Sequence, residues 1–165
     1  MKQFLKDYID ALLNSFNVLW PAIMFVAYAG MCNAAMDSVA HKYHTSIWAN
    51  FEKPEYYNPA ISWKNKWKLD KEGKPIVGKE RYFGSSTFLV RFTDFWHLAK
   101  SCTIFFLLLS VVLYGYRNAR YAVERSRQDT IIYIRRGTLL IFASHFVLLY
   151  LTFTITFELM YRLMT

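Results

Sequence analysis

A chain of 165 residues has the length of one ordinary domain, yet 55% of it is hydrophobic and 19% aromatic, and the apolar residues are gathered into blocks. A soluble core would disperse them, so a water-soluble globular domain is excluded and an all-α, polytopic membrane helical bundle is indicated. The net charge of +8 rests largely on six arginines in residues 117–136, which abut two apolar blocks without a nucleic-acid-binding motif, so nucleic acid is not an expected partner.

Residues 1–17, MKQFLKDYIDALLNSFN, place Phe4, Leu5, Tyr8, Ile9, Leu12, Leu13 and Phe16 at helical spacing with the charges elsewhere. This predicts an amphipathic helix lying in the membrane interface. Its acidic residues and the long apolar stretch that follows do not suit a cleavable signal peptide. The first span is predicted over 18–40, opening with nineteen uncharged residues, VLWPAIMFVAYAGMCNAAM. Pro21 sits near its start, where a missing backbone donor matters least.

An extramembrane loop is predicted over 45–90. Its first half mixes Tyr56, Tyr57, Trp63 and Trp67 with lysines, and KLDKEGKPIVGKERYFGSS carries the Gly and Pro placement of turns around a short strand or hairpin. The aromatics suit packing against the membrane surface or over the bundle, in preference to contact with a substrate. The second span is predicted over 94–116. Its uncharged core, 101–116, is only about 24 Å of helix, so it borrows length from the N-terminal side, with Trp96 and Lys100 at headgroup level.

Residues 117–136 form a predicted arginine-rich loop, and 137–160 a third span built on twenty-one uncharged residues, GTLLIFASHFVLLYLTFTITF. By the positive-inside rule the arginine-rich loop and the N-terminus are expected in the cytoplasm. Residues 42–100 carry eleven Lys or Arg of their own, but many lie in the middle of a long loop, where the rule counts them weakly. The arginines read as a topology signal before an anionic-lipid contact. Cys32 and Cys102 both fall in apolar spans, which rules out a disulfide framework for the large loop and marks them as core residues.

The residues with chemistry to offer sit at the edges of the spans. Asp37, His41 and His44 are spaced i, i+4, i+7, and Asp94 and His97 are spaced i, i+3, so each set lies on one helical face. Ionisable residues in a span normally face a bundle interior or wet cavity and suggest a site. Three nitrogen or oxygen ligands with an open position are what catalytic zinc needs, and a nearby carboxylate can orient a histidine or act as base. The expected metal ligands are His41 and His97, completed by His44 or a carboxylate, with Asp37 and Asp94 as base or orienting groups. Against this stands a purely structural role, in which the same residues pair with Lys42, Arg91 and Lys100. Glu158 either joins the group or pairs with Arg162 at i, i+4.

His145 lies about 12 Å into the third span, too far from the other histidines to share a site, and is expected to hydrogen-bond a neighbouring helix through Ser144 or Asn33. A haem held by His41 and His97 is disfavoured, because small residues to accommodate a macrocycle are scarce in the second span. No nucleophilic serine elbow, phosphate-binding glycine loop or CxxC is present.

The strings AAMDSVAHKYHTSIW, YYNPAISWKNKWK and SSTFLVRFTDFWHLAKS together resemble a group of small, uncharacterised polytopic membrane proteins of Bacteroidetes-type bacteria. The resemblance covers about half the chain, implies a bacterial inner-membrane protein and brings no activity with it. A fainter similarity, in Asp and His at helix ends around a presumed zinc, is to the alkaline ceramidase and adiponectin-receptor superfamily. Those proteins have seven spans and a different histidine spacing, and no residue is transferred from them.

Two functions follow as expectations. One is a metal-dependent hydrolase, zinc being the first choice of divalent metal, acting on a lipid or other membrane-surface substrate. The other is a non-enzymatic subunit or scaffold of a larger membrane assembly, with a homo-oligomer or membrane-protein partner. A transporter ranks third, since three spans would need oligomerisation to build a path.

Overall fold

The structure, a computed structural model, describes residues 2–126 and 135–165. The chain is mostly helical. A long helix α1 (Lys2–Lys42) is followed by two 3-10 turns, two one-turn helices α2 (Pro54–Tyr57) and α3 (Pro59–Ser62), a two-stranded hairpin β1 (Trp67–Leu69) and β2 (Pro75–Glu80), and the long helices α4 (Phe95–Ser126) and α5 (Arg135–Met164). Among the described residues three segments are long and apolar enough to cross a membrane: Leu19–Thr45, Phe95–Ala119 and Ile141–Met164. They make this an integral membrane protein.

The N-terminal amphipathic segment and the first span form one unbroken helix, with Pro21 inside it. At 41 residues α1 is about 62 Å long, twice a bilayer's hydrocarbon thickness. The residues between the two segments, Asn14 to Asn17, include no glycine or proline to end the helix. Helix α4 likewise runs past 116 to Ser126, so the first part of the arginine-rich segment is helical, while its residues 127–134 lie outside the described residues.

Helix α1 is the centre of the bundle. Of its most apolar window 39% is buried, against 17% for α4 and 6% for α5. It meets the two flanking helices with two different surfaces. Toward α5 it presents Gly30, Ala34 and Ser38 at i, i+4, i+8, small residues that let backbones approach. A Cβ on Gly30 would stand 2.8 Å from the Phe153 carbonyl oxygen, and Ser38 Oγ lies 3.9 Å from Met164 Sδ.

Toward α4, α1 presents larger side chains. Phe95 packs against the cluster that holds Val39, Ala35 and Ala99 are both buried, and the Tyr28 ring lies 5.6 Å from that of Phe106, tilted to it. Helices α4 and α5 meet chiefly where the Tyr114 hydroxyl lies 2.9 Å from His145 Nδ1. One partner of the buried His145 is thus on a neighbouring helix, a tyrosine of the second span.

The hairpin has a local cause. Asp70 accepts hydrogen bonds from the Glu72 and Lys74 backbone N–H groups, and Gly73 supplies the positive φ that the turn requires. Beyond β2 the Glu80 carboxylate accepts from the Gly84 and Ser86 backbone N–H groups and from the Ser86 hydroxyl. These bonds, the Ser86 hydroxyl first, hold the Glu80 carboxyl below its usual range.

Candidate functional site

The first residues of α4 are organised by Asp94. It occupies the N-cap position, and its Oδ1 accepts the backbone N–H of His97 at 2.9 Å, satisfying one of the helix's orphan donors. The His97 ring folds back over the same carboxylate, with Nδ1 2.8 Å from both Oδ1 and Oδ2. The Thr93 hydroxyl lies 3.1 Å from Asp94 Oδ2 and 2.8 Å from the Val90 carbonyl, and having one proton it donates to one of them at a time. Asp94 is nearly inaccessible, with its side chain 3% exposed, while that of His97 is 24% exposed.

This geometry fixes the tautomer. A carboxylate only accepts, so Nδ1 carries a proton, and in the neutral ring Nε2 has the lone pair. Nε2 makes no hydrogen bond to the described residues, and the ring edge packs on Trp96 at 4.8 Å. A carboxylate-oriented imidazole of this kind can serve as one metal ligand or as a base.

The residues around the pair come from the loop. Asn65 Nδ2 donates to the Thr93 carbonyl at 2.9 Å and to the Glu55 carbonyl at 2.7 Å, tying the loop to the start of α4. The Trp48 indole donates to Ser38 Oγ at 2.6 Å, and Ser38 in turn donates to the Ala35 carbonyl. The Trp48 ring lies 4.4 Å from Phe95 and 5.8 Å from Tyr57, forming an aromatic plug over the ends of α1 and α4. Burial, followed by the Tyr57 phenol and the Asp94 carboxylate, pushes the Tyr56 phenol above its usual range. The loop therefore packs on the bundle end. Sequence reasoning missed the Trp48–Ser38 bond, because a tryptophan ten residues beyond a serine in a different element carries no periodic signal.

The other histidines are placed elsewhere. Tyr28 of α1 faces α4, its ring 5.6 Å from Phe106, and Gly30 faces α5. At about 100° per residue, Asp37 and His41 fall within about 20° of Gly30 and about 140° to 180° from Tyr28. Their stripe points to the α5 side, away from Asp94 and His97. Asp37 is half-buried and His41 exposed, while His44, also exposed, lies in a 3-10 turn with its ring edge on Tyr43 at 5.3 Å. Among the described residues no three His, Cys, Asp or Glu side chains lie together in a group that could hold a metal. The ligand set expected from spacing is thus divided between two sides of α1.

The charged neighbours are also occupied differently from the expectation. Lys100 Nζ sits 4.9 Å over the Trp96 ring, and Arg91 donates to the Phe88 carbonyl. The partner of Asp94 is His97. Glu158 pairs with Arg162 at 2.6 Å on the exposed side of α5, the arrangement that their i, i+4 spacing suggested.

Comparison of the chain with protein-family models, with curated proteins and with solved structures finds no match, so the functional reading rests on the geometry of this molecule.

Proposed function

We propose that this protein is a non-catalytic subunit of a membrane assembly, associating through the outward face of α5. The observation that carries the reading is Tyr150. It lies nine residues from the nearer end of the third span, about 14 Å along the helix and farther than a tyrosine side chain reaches. It is 62% exposed, and its hydroxyl has no hydrogen-bond partner among the described residues. A hydroxyl facing hydrocarbon without a partner is unfavourable by several kcal/mol on the scale for unsatisfied polar groups in lipid, so a second transmembrane helix bearing an acceptor or donor would relieve it.

The thin bundle supports the same reading. Helix α5 is the least buried span, and Thr154, one turn beyond Tyr150, is also exposed, with its hydroxyl bonded back to the Tyr150 carbonyl at 3.0 Å. Native mass spectrometry from lipid nanodiscs tests the proposal. A defined homo-oligomer or a stoichiometric membrane-protein complex is expected, weakened in Tyr150→Phe. A wild-type protein that stays monomeric and alone at high protein-to-lipid ratio would refute it.

A second reading rests on the Asp94–His97 pair. In a metal-dependent hydrolase acting on a lipid or membrane-surface substrate, His97 Nε2 would bind a divalent metal such as zinc, with Asp94 orienting the ring. Further ligands would have to come from outside the pair. Elemental analysis of wild type beside His97→Ala decides this reading: near-stoichiometric metal lost in the variant supports it, and equal metal content in both overturns the assignment of His97.

A further inference from the structure

The α1–α4 seam places two sulfurs together. Going down α1 from Val39 through Ala35, Cys32 and Tyr28, and along α4 from Phe95 through Ala99, Cys102 and Phe106, the same steps of four, three and four residues are taken. At the first rung Phe95 packs against the cluster that holds Val39, the second is a pair of buried alanines, and the fourth is a ring contact at 5.6 Å. On the third rung the same register sets Cys32 beside Cys102, and the two side chains interact across the helices. Both cysteines are free and neither is fully buried.

Each feature of the rung suits a covalent link. A disulfide needs Cα atoms within about 7 Å, closer than most helix pairs come, and the alanines on the adjacent rung permit such an approach. A disulfide is uncharged and apolar, so it is at home at this depth of a span. We propose that Cys32 and Cys102 are a redox-convertible pair that staples the first span to the second.

In the oxidation both S–H bonds break and one S–S bond forms. The two electrons and two protons pass to a lipid-soluble quinone, which leaves as the quinol. Reduction by a dithiol reverses the change. This inference is independent of the association proposed for α5.

The test uses the full chain, purified reduced and reconstituted in nanodiscs, treated with a short-chain ubiquinone analogue and then denatured and alkylated with a maleimide-polyethylene glycol. Both alkylatable thiols should disappear together, the chain should remain monomeric on a non-reducing gel, and a Cys32–Cys102 cross-linked peptide should be found and be lost after reductant. In Cys32→Ser and in Cys102→Ser the remaining thiol should persist through the same treatment. The proposal is overturned if wild-type thiols stay alkylatable after quinone and also after copper-phenanthroline, or if either single variant loses its remaining thiol as wild type does. Disulfide-linked dimers in place of the internal cross-link would overturn it equally.

Discussion

Helices α4 and α5 are alike in composition and different in what they leave toward the membrane. On α4 the exposed residues between Ile104 and Val112 are aliphatic or aromatic hydrocarbon, and the one hydroxyl in that stretch, Ser110, is buried and donates to the Leu107 carbonyl. On α5 the exposed face carries Tyr150 and Thr154 in the middle of the span. Inward, α4 meets α1 through a mixture of alanines and large side chains such as Tyr28 and Phe106, and α5 comes closest to it at Gly30. A lipid-facing helix can afford no unpaired polar group, whereas a helix between two protein surfaces can place small residues on one side and polar ones on the other. The contrast is what the proposed association requires, with α4 facing lipid and α5 facing protein.

The largest expected effect breaks the small-residue seam. Gly30→Leu puts side-chain atoms into the Phe153 carbonyl and Thr156, contacts of backbone and Cβ that cannot rotate away. A loss of about 3 kcal/mol is expected, at the upper end for overpacking, with α5 displaced from α1. Thermal unfolding in nanodiscs should register it. The matched change on α4, Gly115→Ala, meets nothing within 4 Å and should be neutral or stabilise by up to about 1 kcal/mol.

Next comes the start of α4. Asp94→Ala removes the cap and releases His97, costing about 1–2 kcal/mol. Asp94→Asn keeps an acceptor for the His97 N–H and should recover much of that loss. If Ala and Asn are equally mild, the carboxylate is not organising the helix end. Tyr150→Phe should leave the stability of the isolated chain nearly unchanged while weakening association by about 1 kcal/mol, the scale of an interhelical hydrogen bond in a membrane. Analytical ultracentrifugation in matched detergent separates the two quantities.

The smallest effect lies in the loop and depends on pH. The hydrogen bonds to Glu80 lower its folded pKa, so their stabilising contribution is complete above the ordinary glutamate range and is lost as the pH falls through it. The protection of the Gly84 and Ser86 amides from hydrogen exchange, taken relative to the intrinsic rate at each pH, should fall in acid, and Glu80→Gln should remove that dependence while the amides of the spans stay protected.

Much of this architecture was legible in the sequence for a physical reason: a span must be uniformly apolar over its length, and turns such as Asp70 to Gly73 advertise their chemistry locally. The Asp94 and His97 pairing was legible too, because i, i+3 on one helix end brings the two together whatever else the chain does. What periodicity cannot supply is the rotation of one helix against another. Asp37 and His41 share a face, as their spacing required, but that face is the one Gly30 turns to α5, so the four residues do not assemble. The Cys32–Cys102 rung was hidden for the same reason. Two cysteines at unequal distances from the ends of their spans align only once the Tyr28–Phe106 contact fixes the register.

The most direct test of the α5 assignment is photo-crosslinking in native membranes, with a photoreactive phenylalanine placed at Tyr150 and, for comparison, at Val111, which is equally exposed on α4. The account predicts a discrete protein adduct from position 150 and only lipid adducts from position 111. Lipid adducts alone from both positions, or protein adducts from both in equal yield, would contradict it.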